Sequence, residues 1–420
     1  MTFETALTGL NAAAADLDVT GNNIANSQTI GFKMSRAEFA DIFASSNLGV
    51  ARTAVGQGVR VEAVRQQFTQ GQFTFTGNTL DLAISGNGFF QVSANGQLSY
   101  TRNGAFTLDR DGYIVDANNR RLQGFGVDSS GNIGTGSYTD LRVHTGPVAP
   151  RASSAARMTA NLQSGTETPT VTPFDPTNAD SYSFSTSTTV YDSQGRAHLQ
   201  SFYFVKLPDG PAPAQPNQWA VYSQLAGYPD APSGPNVVTF NADGTVNNID
   251  GGPTEVTYNF AAGLAGSPLA GANDLTITTD FAGLTQFGTA FAVTELNQDG
   301  YAAGQFSSLT VEKDGTIFAR YSNGQSTTLG QVMLVQFPSQ ENLQQTGDTS
   351  WVETFASGAP LRGQPELSGL GSVQSGTLEQ SNVNVSEQLV RMITAQRNYQ
   401  ANAKMISTQD QMSQEILNIR

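Results

Sequence analysis

The feature that most constrains this chain is a seven-residue repeat of apolar side chains at both ends, with no such repeat between them. Near the N-terminus the stripe consists of Phe3, Leu7, Leu10, Ala14, Leu17, Gly21 and Ile24. Near the C-terminus it consists of Val385, Leu389, Met392, Gln396, Tyr399, Ala403 and Ile406, and it resumes at Leu417. Alternating spacings of three and four residues are typical of helices that pack along a seam. We therefore predict helical assembly segments over residues 1–30 and 385–420, with the two stripes forming their seam.

The chain between these segments is predicted to be β-structure. Dipeptides that favour hairpin turns separate its β-rich runs, namely Asn95-Gly96, Asp111-Gly112, Asp243-Gly244, Asp314-Gly315 and Asn323-Gly324. A proline-rich stretch from Gly146 to Pro150 marks the start of a second β block nested inside the first. The predicted organisation is mainly β with helical termini that pair like a coiled coil. It comprises a connecting segment at 31–70, a discontinuous first β domain at 71–146 and 291–364, an inserted β domain at 147–290 and a second connecting segment at 365–384.

Two interpretations of the terminal stripes follow from their size. The stripes are too short to offset the backbone entropy of both terminal segments by packing on each other alone. We therefore expect neighbouring subunits to cover part of them, which would make the ends assembly elements. The alternative is an ordinary two-helix coiled coil that joins the termini within a monomer or dimer.

Composition excludes several classes of function. The chain contains no cysteine, which removes disulfide frameworks, thiolate metal sites and cysteine nucleophiles. Its formal net charge of -14 argues against nucleic acid and anionic membranes as partners, because both require basic patches. No run approaches the ~20 apolar residues that span a bilayer, so we predict no membrane insertion. No signal-peptide pattern is present, which indicates either a cytosolic protein or export without a cleaved signal.

We predict no catalytic residue, no cofactor and no metal site. The histidines His144 and His198 are isolated among β-type residues, and no nucleophile elbow, phosphate loop or zinc motif occurs. The segment Asp109-Arg-Asp111-Gly112 superficially resembles a calcium loop, but Ile114 and Arg120 occupy the positions of its glycine and closing glutamate. A hairpin turn is the better interpretation of these residues.

Two terminal segments together resemble the paired signature of the flagellar axial family, which comprises the rod, hook and hook-associated proteins. The N-terminal segment runs from Gly21 to Lys33 and the C-terminal segment from Met392 to Lys404. The matching positions are Asn22, Asn23, Ala25, Asn26, Gly31, Phe32 and Lys33, with Gln396, Arg397, Asn398 and Tyr399. The runs Leu80–Phe90 and Thr101–Asp109 are similar to the first β domain of the hook and distal-rod branch.

This resemblance implies a structural, non-enzymatic subunit that polymerises with itself into a tube outside the cell. The terminal helices would form its inner wall, the first β domain a middle shell and the insert the outer surface. The large insert favours the hook branch over the distal rod proteins, which lack one. Implied partners are the distal rod protein, the hook cap protein, the hook–filament junction protein and the type III export gate.

Two further surfaces are expected from the resemblance. Phe39 and Phe43 resemble the aromatic element by which early export substrates engage the export gate; packing of one face of a short helix is a compatible alternative. One face of the C-terminal helix would line the lumen, and the candidate face consists of Thr394, Arg397, Ala401, Lys404, Thr408 and Gln411.

Two other functions remain open on the sequence alone. One is that of a distal rod protein of the same family. The other is that of a secreted adhesive or carbohydrate-binding β protein, which would need an exposed aromatic cluster. Trp219 and Tyr222 could contribute to such a cluster, although we expect Trp219 to lie in a core.

Overall fold

A computed structural model describes residues 2–42, 56–128, 131–208 and 217–418. The chain begins with helix α1 (Thr2–Ala25) and continues with β1 (Ser35–Asp41), β2 (Val59–Gln66), β3 (Phe73–Phe75), β4 (Leu82–Ser85), β5 (Phe89–Ala94), β6 (Gln97–Thr101), β7 (Thr107–Leu108), β8 (Ile114–Val115), β9 (Arg121–Val127) and β10 (Ile133–Asp140). The inserted region contains β11 (Ala155–Asn161), β12 (Phe184–Tyr191), β13 (Ala197–Lys206), β14 (Gln218–Leu225), β15 (Ser233–Phe240), β16 (Val246–Ile249), β17 (Glu255–Phe260), β18 (Leu275–Asp280) and β19 (Ala292–Gln298). The chain then returns through β20 (Phe306–Val311), β21 (Thr316–Tyr321), β22 (Ser326–Val332), β23 (Leu334–Gln336), β24 (Gln344–Gly347), β25 (Ser350–Val352), β26 (Leu361–Gly363), β27 (Ser372–Ser375), β28 (Thr377–Glu379) and helix α2 (Val385–Asn418).

The prediction of a mainly β chain with paired helical termini is confirmed. The turn dipeptides close hairpins where expected, because their glycines adopt the positive φ that such turns require; Gly96, for example, has φ 85° between β5 and β6. The Asp109–Gly112 segment is likewise a turn, between β7 and β8. Asp109 Oδ1 accepts hydrogen bonds from Asp111 N at 2.9 Å and Tyr113 N at 2.7 Å.

The chain divides into two compact units. The first unit consists of Met1–Thr145, Ser307–Arg320 and Ser326–Arg420, and the second of Gly146–Phe306 with Tyr321–Gln325. The second unit therefore extends past the predicted end at residue 290, because β19 pairs with β11 along almost its whole length. The alternating pattern of β19 is mostly polar, so the sequence carried little sign of this pairing.

The second unit is built around one apolar core. Among its described residues, β17-β18-β11-β19 form one sheet and β12-β13-β14-β15-β16 form another. Both sheets contribute side chains to a single cluster, which includes Met158, Phe202, Trp219 and Ile277, each 0% exposed. This cluster follows from the alternation of buried and half-buried residues from Gln200 to Phe204 in β13 and along the second half of β14.

The β part of the first unit has a separate aromatic core. Its largest described sheet runs in the order β20-β21-β22-β9-β5-β6-β25-β24, with shorter strands attached. Phe89, Tyr100, Phe337 and Trp351 pack there edge to face, at centroid distances of 4.7 to 6.2 Å. The indole of Trp351 also donates a hydrogen bond to Gln66 Oε1 at 2.5 Å, which ties this core to β2.

The two predicted connecting segments contain strands. In the first of them, β1 and β2 form an antiparallel hairpin, and in the second, β27 pairs with β4 and β28 with β3. The short-helix interpretation of Phe39 is therefore wrong, since Phe39 lies in β1 and pairs with Val61. Strand pairing with residues distant in sequence overrides local helical spacing here. Phe43 lies outside the described residues.

Candidate assembly surface of the terminal helices

The terminal helices pair antiparallel within the first unit. Asn23 Nδ2 donates to Gln388 Oε1 at 3.2 Å, and a Cβ on Gly9 would lie 2.8 Å from Asn402 Oδ1. Both helices advance by the same 14 residues between these contacts, from 9 to 23 and from 388 to 402. The register is therefore uniform along about 21 Å of helix.

The residues that form this seam are small or polar. On α1 they are Ala6, Gly9, Ala13, Thr20 and Asn23, and on α2 they are Gln388, Ala395 and Asn402. The prediction that the apolar stripes form the seam is thus corrected, because the seam precedes each stripe by one residue. Small side chains allow a close helix approach, as the short distance between Gly9 and Asn402 shows. The seam buries little apolar surface in return.

Both apolar stripes instead lie on one side of the helix pair. A shift of one residue rotates a side chain by about 100° around its helix. Because the helices are antiparallel and both stripes shift in the same direction, the two stripes face the same side. We call this surface the apolar face; it consists of Phe3, Leu7, Leu10, Ala14, Leu17, Gly21 and Ile24 with Val385, Leu389, Met392, Gln396, Tyr399, Ala403 and Ile406.

Exposure along the apolar face is greatest at its two ends. Phe3 and Leu7 are 44% and 42% exposed, and Val385 and Leu389 are 41% and 46% exposed. Tyr399 is also exposed. The remaining large members, Leu10, Leu17, Ile24, Met392 and Ile406, are half-buried, as is Ala403. The backbone at Leu417 is helical, but its side chain is outside the described residues.

The opposite side of α1 is closed by the β1–β2 hairpin. Ala12, which lies on that side, is buried, and Thr8 Oγ1 accepts a hydrogen bond from Val59 N at 3.4 Å. A Cβ on Gly58 would collide with the Thr8 hydroxyl, so the hairpin approaches α1 closely. The apolar face of α1 and an adjoining polar side, which carries Glu4, Asn11, Asp18 and Asn22, are left open.

Two asparagines of the N-terminal motif fix the end of α1. Asn23, which is 1% exposed, accepts from Ser35 N at 2.9 Å and donates to Ser35 O at 2.7 Å, in addition to its bond with Gln388. Asn26 N donates to Asn22 O at 3.1 Å, and Thr29 Oγ1 donates to Asn26 Oδ1 at 3.1 Å. Ala25 is the last residue of the helix and is exposed. These bonds join α1, β1 and α2 at one point.

The Gly31-Phe32-Lys33 part of the motif docks on the β domain. Gly31 has φ 68°, and a Cβ there would lie 2.6 Å from Asn103 N, so only glycine fits this close approach. Gly31 N donates to Glu379 O at 2.8 Å, while Phe32 is buried. Lys33 Nζ donates to Thr69 O at 2.8 Å and to Glu379 Oε1 at 2.6 Å.

Glu379 is the centre of a buried ion-pair cluster. Its carboxylate accepts from Lys33, from Arg102 Nη1 at 3.1 Å and from Gly71 N at 2.9 Å. The side chains of Lys33 and Glu379 are 0% exposed and that of Arg102 is 3% exposed. Burial lowers the pKa of Lys33; Glu379 opposes this and Arg102 adds to it. Burial also lowers the pKa of Arg102 against the effect of Glu379.

Sequence reasoning missed three residues of this junction. Glu379 and Arg102 were not recognised because a buried ion pair between residues so far apart leaves no local pattern. Asn382 is the third: it accepts from Met34 N at 2.8 Å and donates to Gln67 O at 2.8 Å. The polar run of asparagines before α2 was the only available signal for it. Asn384 in the same run caps α2 by accepting from Ser386 N at 3.1 Å.

The C-terminal motif and the candidate lumen face are exposed in the single subunit. Exposed motif residues are Gln396, Arg397, Asn398 and Tyr399, and exposed residues of the candidate face are Thr394, Arg397, Ala401, Lys404, Thr408 and Gln411. Val390, which is 65% exposed, precedes Arg397 by one seven-residue repeat, and Ile393 is 49% exposed beside it. Because Val390 and Ile393 are apolar and exposed, a polar face on this side of α2 begins at Thr394 and does not extend toward the N-terminus of the helix.

The residues considered for catalysis and sugar binding lie on the surface, beside a turn or in a core, and have the roles that such positions usually have. His144 is exposed, and His198 Nε2, in β13, lies 3.1 Å from Oδ2 of Asp192, which begins the preceding hairpin turn. Trp219 is 0% exposed, as expected for a core residue. Tyr222 is half-buried and stacks on Phe174 at 4.2 Å. Within the described ranges, no group of three or more His, Asp or Glu side chains could hold a metal, and no helix is long and apolar enough to cross a membrane.

Four regions of the chain match families of flagellar rod, basal body and hook proteins. Residues 3–33 match the flagella basal body rod protein, and residues 374–419 match the flagellar basal body rod FlgEFG protein C-terminal region. Residues 83–151 match the flagellar hook protein FlgE/F/G D1 domain, and residues 161–301 match the flagellar basal body protein FlaE D2 domain. The two terminal matches cover the helices and the motif residues described above.

Three relatives that match this chain over almost its full length have the same name, flagellar hook protein FlgE. The chain is 41% identical over 425 residues to the flagellar hook protein FlgE of Escherichia coli, with 100% of both chains covered. It is 40% identical to that of Salmonella typhimurium over the full length of both, and 31% identical to that of Borreliella burgdorferi over 99% of this chain and 98% of the relative. A crystal structure of Helicobacter pylori FlgE2 has the same fold, with a TM-score of 0.53 at 14% identity over 73% of this chain and 100% of that one. The chain belongs to the flagellar hook protein FlgE family.

Proposed function

We propose that this chain is the structural subunit of the bacterial flagellar hook and polymerises with itself into a flexible tube that transmits torque from rod to filament. The observation that carries this proposal is the open apolar face. A helix pair that joins through small and polar residues, and leaves Phe3 and Leu389 more than 40% exposed, is incomplete as a single subunit. Contact with further copies would bury this surface.

The position of the hook defines the further partners that we propose. They are the distal rod protein at the base, and the hook cap protein and the hook–filament junction protein at the tip. The subunit would reach its extracellular site through the type III export gate, without a cleaved signal peptide, and later subunits would pass through the lumen. Full-length similarity to hook subunits supports this role over that of a distal rod protein.

Two experiments test the proposed function. The gene should restore swimming to a bacterium that lacks its own hook subunit, because only a complete hook connects the filament to the motor. The purified chain, concentrated at high salt, should form tubes in negative-stain micrographs. A chain that leaves the bacterium hookless and forms no tubes would contradict the proposal. An adhesive protein would instead bind sugars on a glycan array.

Export offers a separate prediction. Phe39 is 41% exposed in β1, so its ring contributes little to the packing of the folded subunit. Replacing Phe39 and Phe43 with alanine should reduce secretion several-fold and leave the melting temperature of the β units unchanged. Measurement of secreted protein against the cell-associated pool checks this. Undiminished secretion of the double variant would remove both residues from any role in export.

A further inference from the structure

We propose that Asn95 is a site of spontaneous covalent modification, at which the side chain cyclises onto the backbone of Gly96 and then opens to aspartate or isoaspartate. The site lies at the tip of the hairpin between β5 and β6, where Ala94 pairs with Gln97. Water is the only co-reactant, so no enzyme or cofactor is required. The inference goes beyond the proposed function and does not depend on it, because it concerns the chemistry of one turn in the folded subunit.

The reaction is a cyclisation followed by a hydrolysis. The backbone nitrogen of Gly96 attacks Asn95 Cγ and forms a new N–Cγ bond, and the side-chain nitrogen leaves as ammonia with the proton from Gly96 N. Water then opens the five-membered imide. Cleavage of the new bond gives aspartate, whereas cleavage of the original peptide bond gives isoaspartate, which lengthens the backbone of the turn by one atom. Both products carry one additional negative charge at neutral pH.

The chain contains four Asn-Gly pairs, which separate the effect of the sequence from that of the fold. They are Asn87-Gly88, Asn95-Gly96, Asn103-Gly104 and Asn323-Gly324. Glycine favours the cyclisation at every pair, because it has no side chain to hinder the attacking nitrogen and its backbone is the most mobile. Since the attacking residue is the same at all four pairs, differences in rate between them report mainly on the fold.

The Asn323-Gly324 pair is held on both sides of the reaction. Asn323 Nδ2 donates to Ala302 O at 2.8 Å, and its Oδ1 accepts from Gln325 N at 3.1 Å. Gly324 N, the attacking atom, donates to Tyr321 O at 3.0 Å. Cyclisation would break all three hydrogen bonds, so this pair is protected although it also lies in a hairpin turn.

Two other pairs are fixed by one partner each. Asn103 Oδ1 accepts from Ala105 N at 3.1 Å, which keeps the amide away from the following nitrogen. Asn87 is exposed, but its carbonyl oxygen accepts from Gly371 N at 2.8 Å and the adjoining Gly88 is buried. Ring closure at either pair would therefore displace backbone that is already bonded or packed.

The tip at Asn95 has none of these restraints. Asn95 and Gly96 are both exposed, and among the described residues none forms a hydrogen bond with the Asn95 side chain or with Gly96 N. A Cβ added to Gly96 would have no atom within 4 Å. The two residues have φ 51° and 85°, as in a two-residue hairpin turn, so the attack requires rotation of the peptide between them. An unpacked hairpin tip opens locally at low cost, which makes that rotation accessible at Asn95.

Peptide mass spectrometry of the folded full-length protein tests the site. Incubation in water enriched in heavy oxygen labels only those molecules that react during the incubation. Trypsin cleavage after Arg65 and Arg102 releases Asn87 and Asn95 in one peptide, whose fragments distinguish the two. Conversion at Asn95 should be at least about tenfold faster than at Asn103 or Asn323, and the four rates should converge in urea, where the fold no longer protects any pair. Equal rates in the folded protein, or slower conversion at Asn95, would overturn the proposal.

Isoaspartate formation provides a second measurement with a matched variant. Asn95→Gly removes the reacting amide and keeps the turn, because Gly-Gly also favours two-residue hairpin loops. After the same incubation, labelling by an isoaspartate-specific methyltransferase should be several-fold stronger for the wild type than for this variant. Equal labelling of both proteins would place the modification at another residue and would overturn the assignment to Asn95.

Discussion

The terminal helix pair and the second unit use apolar residues in opposite ways. In the second unit, Phe202 and Trp219 are 0% exposed and belong to one closed core. In the helix pair, Phe3, Leu7 and Leu389 are more than 40% exposed, while alanine, glycine and amide side chains form the seam. One region completes its core within a single chain, whereas the other leaves several large apolar side chains open to solvent.

This difference separates folding from assembly within one polypeptide. The second unit gains its stability from burial that every copy provides for itself. The helix pair gains a defined geometry from its seam and from the junction at Glu379, but it leaves Phe3, Leu7 and Leu389 largely open, and we propose that other copies cover them. A subunit built in this way can be stable before assembly without its assembly surface being satisfied.

The largest expected effect distinguishes the two regions directly. Phe202→Ala should lower the free energy of unfolding of the second unit by about 3–5 kcal/mol, because it leaves a cavity in a closed core. Leu389→Ala in the dilute monomer should change stability by less than about 0.5 kcal/mol, because the side chain is largely in solvent. Urea unfolding followed by Trp219 fluorescence in a Trp351→Phe background measures the first effect.

When assembly is measured instead of stability, Leu389→Ala should have the larger effect of the two variants. Leu389→Ala should raise the concentration required for tube formation, whereas Phe202→Ala should act only through the unfolded fraction. Equal stability losses in the dilute monomer would break the comparison. They would mean that the apolar face is already covered within one chain.

The next effect concerns the junction between the helix pair and the β domain. Glu379→Gln leaves Lys33 and Arg102 buried without their shared carboxylate, and should destabilise the first unit by about 3–5 kcal/mol. Lys33→Met should cost clearly less, because Glu379 keeps Arg102 and Gly71 as partners and the apolar side chain fills the same space. Trp351 fluorescence during urea unfolding reports both variants. A larger loss from Lys33→Met would show that the lysine, not the carboxylate, is the centre of the cluster.

Part of this comparison could be predicted from the sequence. Heptad spacing located both helices and turn dipeptides located the hairpins, since both signals are local. The seam was assigned one residue too late because periodicity identifies an apolar stripe but not what covers it. Glu379 and Arg102 could not be found at all, since they lie 277 residues apart and meet only in the folded chain. The short-helix alternative for Phe39 failed for a similar reason, as its strand pairs with residues beyond the nearest stretch of sequence.

A smaller effect should appear in the second unit at low pH. Asp192 is buried, which acts to raise its pKa, but hydrogen bonds from His198 and Arg196 lower the pKa to about 2. Because the folded pKa lies below the ordinary value of 3.8, the stabilisation is essentially complete above about pH 5 and is lost as pH falls toward 2. The full stabilisation by the ionised Asp192 is about 2 kcal/mol, and its loss corresponds to the binding of one proton per molecule. The stability difference between the wild type and Asp192→Asn should therefore shrink between pH 4 and pH 2; a constant difference would show that the ionised carboxylate is not what stabilises the turn.

The smallest expected effect on stability falls on the candidate lumen face. Thr394 and Thr408 are exposed on α2, and their hydroxyls donate only to carbonyls of the preceding turn, at 2.9 Å. Thr394→Leu with Thr408→Leu should therefore change the free energy of unfolding by no more than about 0.5 kcal/mol. If this face lines the lumen, however, exported unfolded chains would gain about 25 cal/mol per Å² of apolar contact with the new wall, and the gain would repeat around the tube. Hooks of normal length carrying short filaments in electron micrographs are the expected result, with Thr394→Ser and Thr408→Ser as a control that keeps both hydroxyls. Full-length filaments, or an absence of hooks, would each show that this face meets solvent or another subunit and does not line the lumen. The polar, open part of the helix pair would then lie on another side of α2.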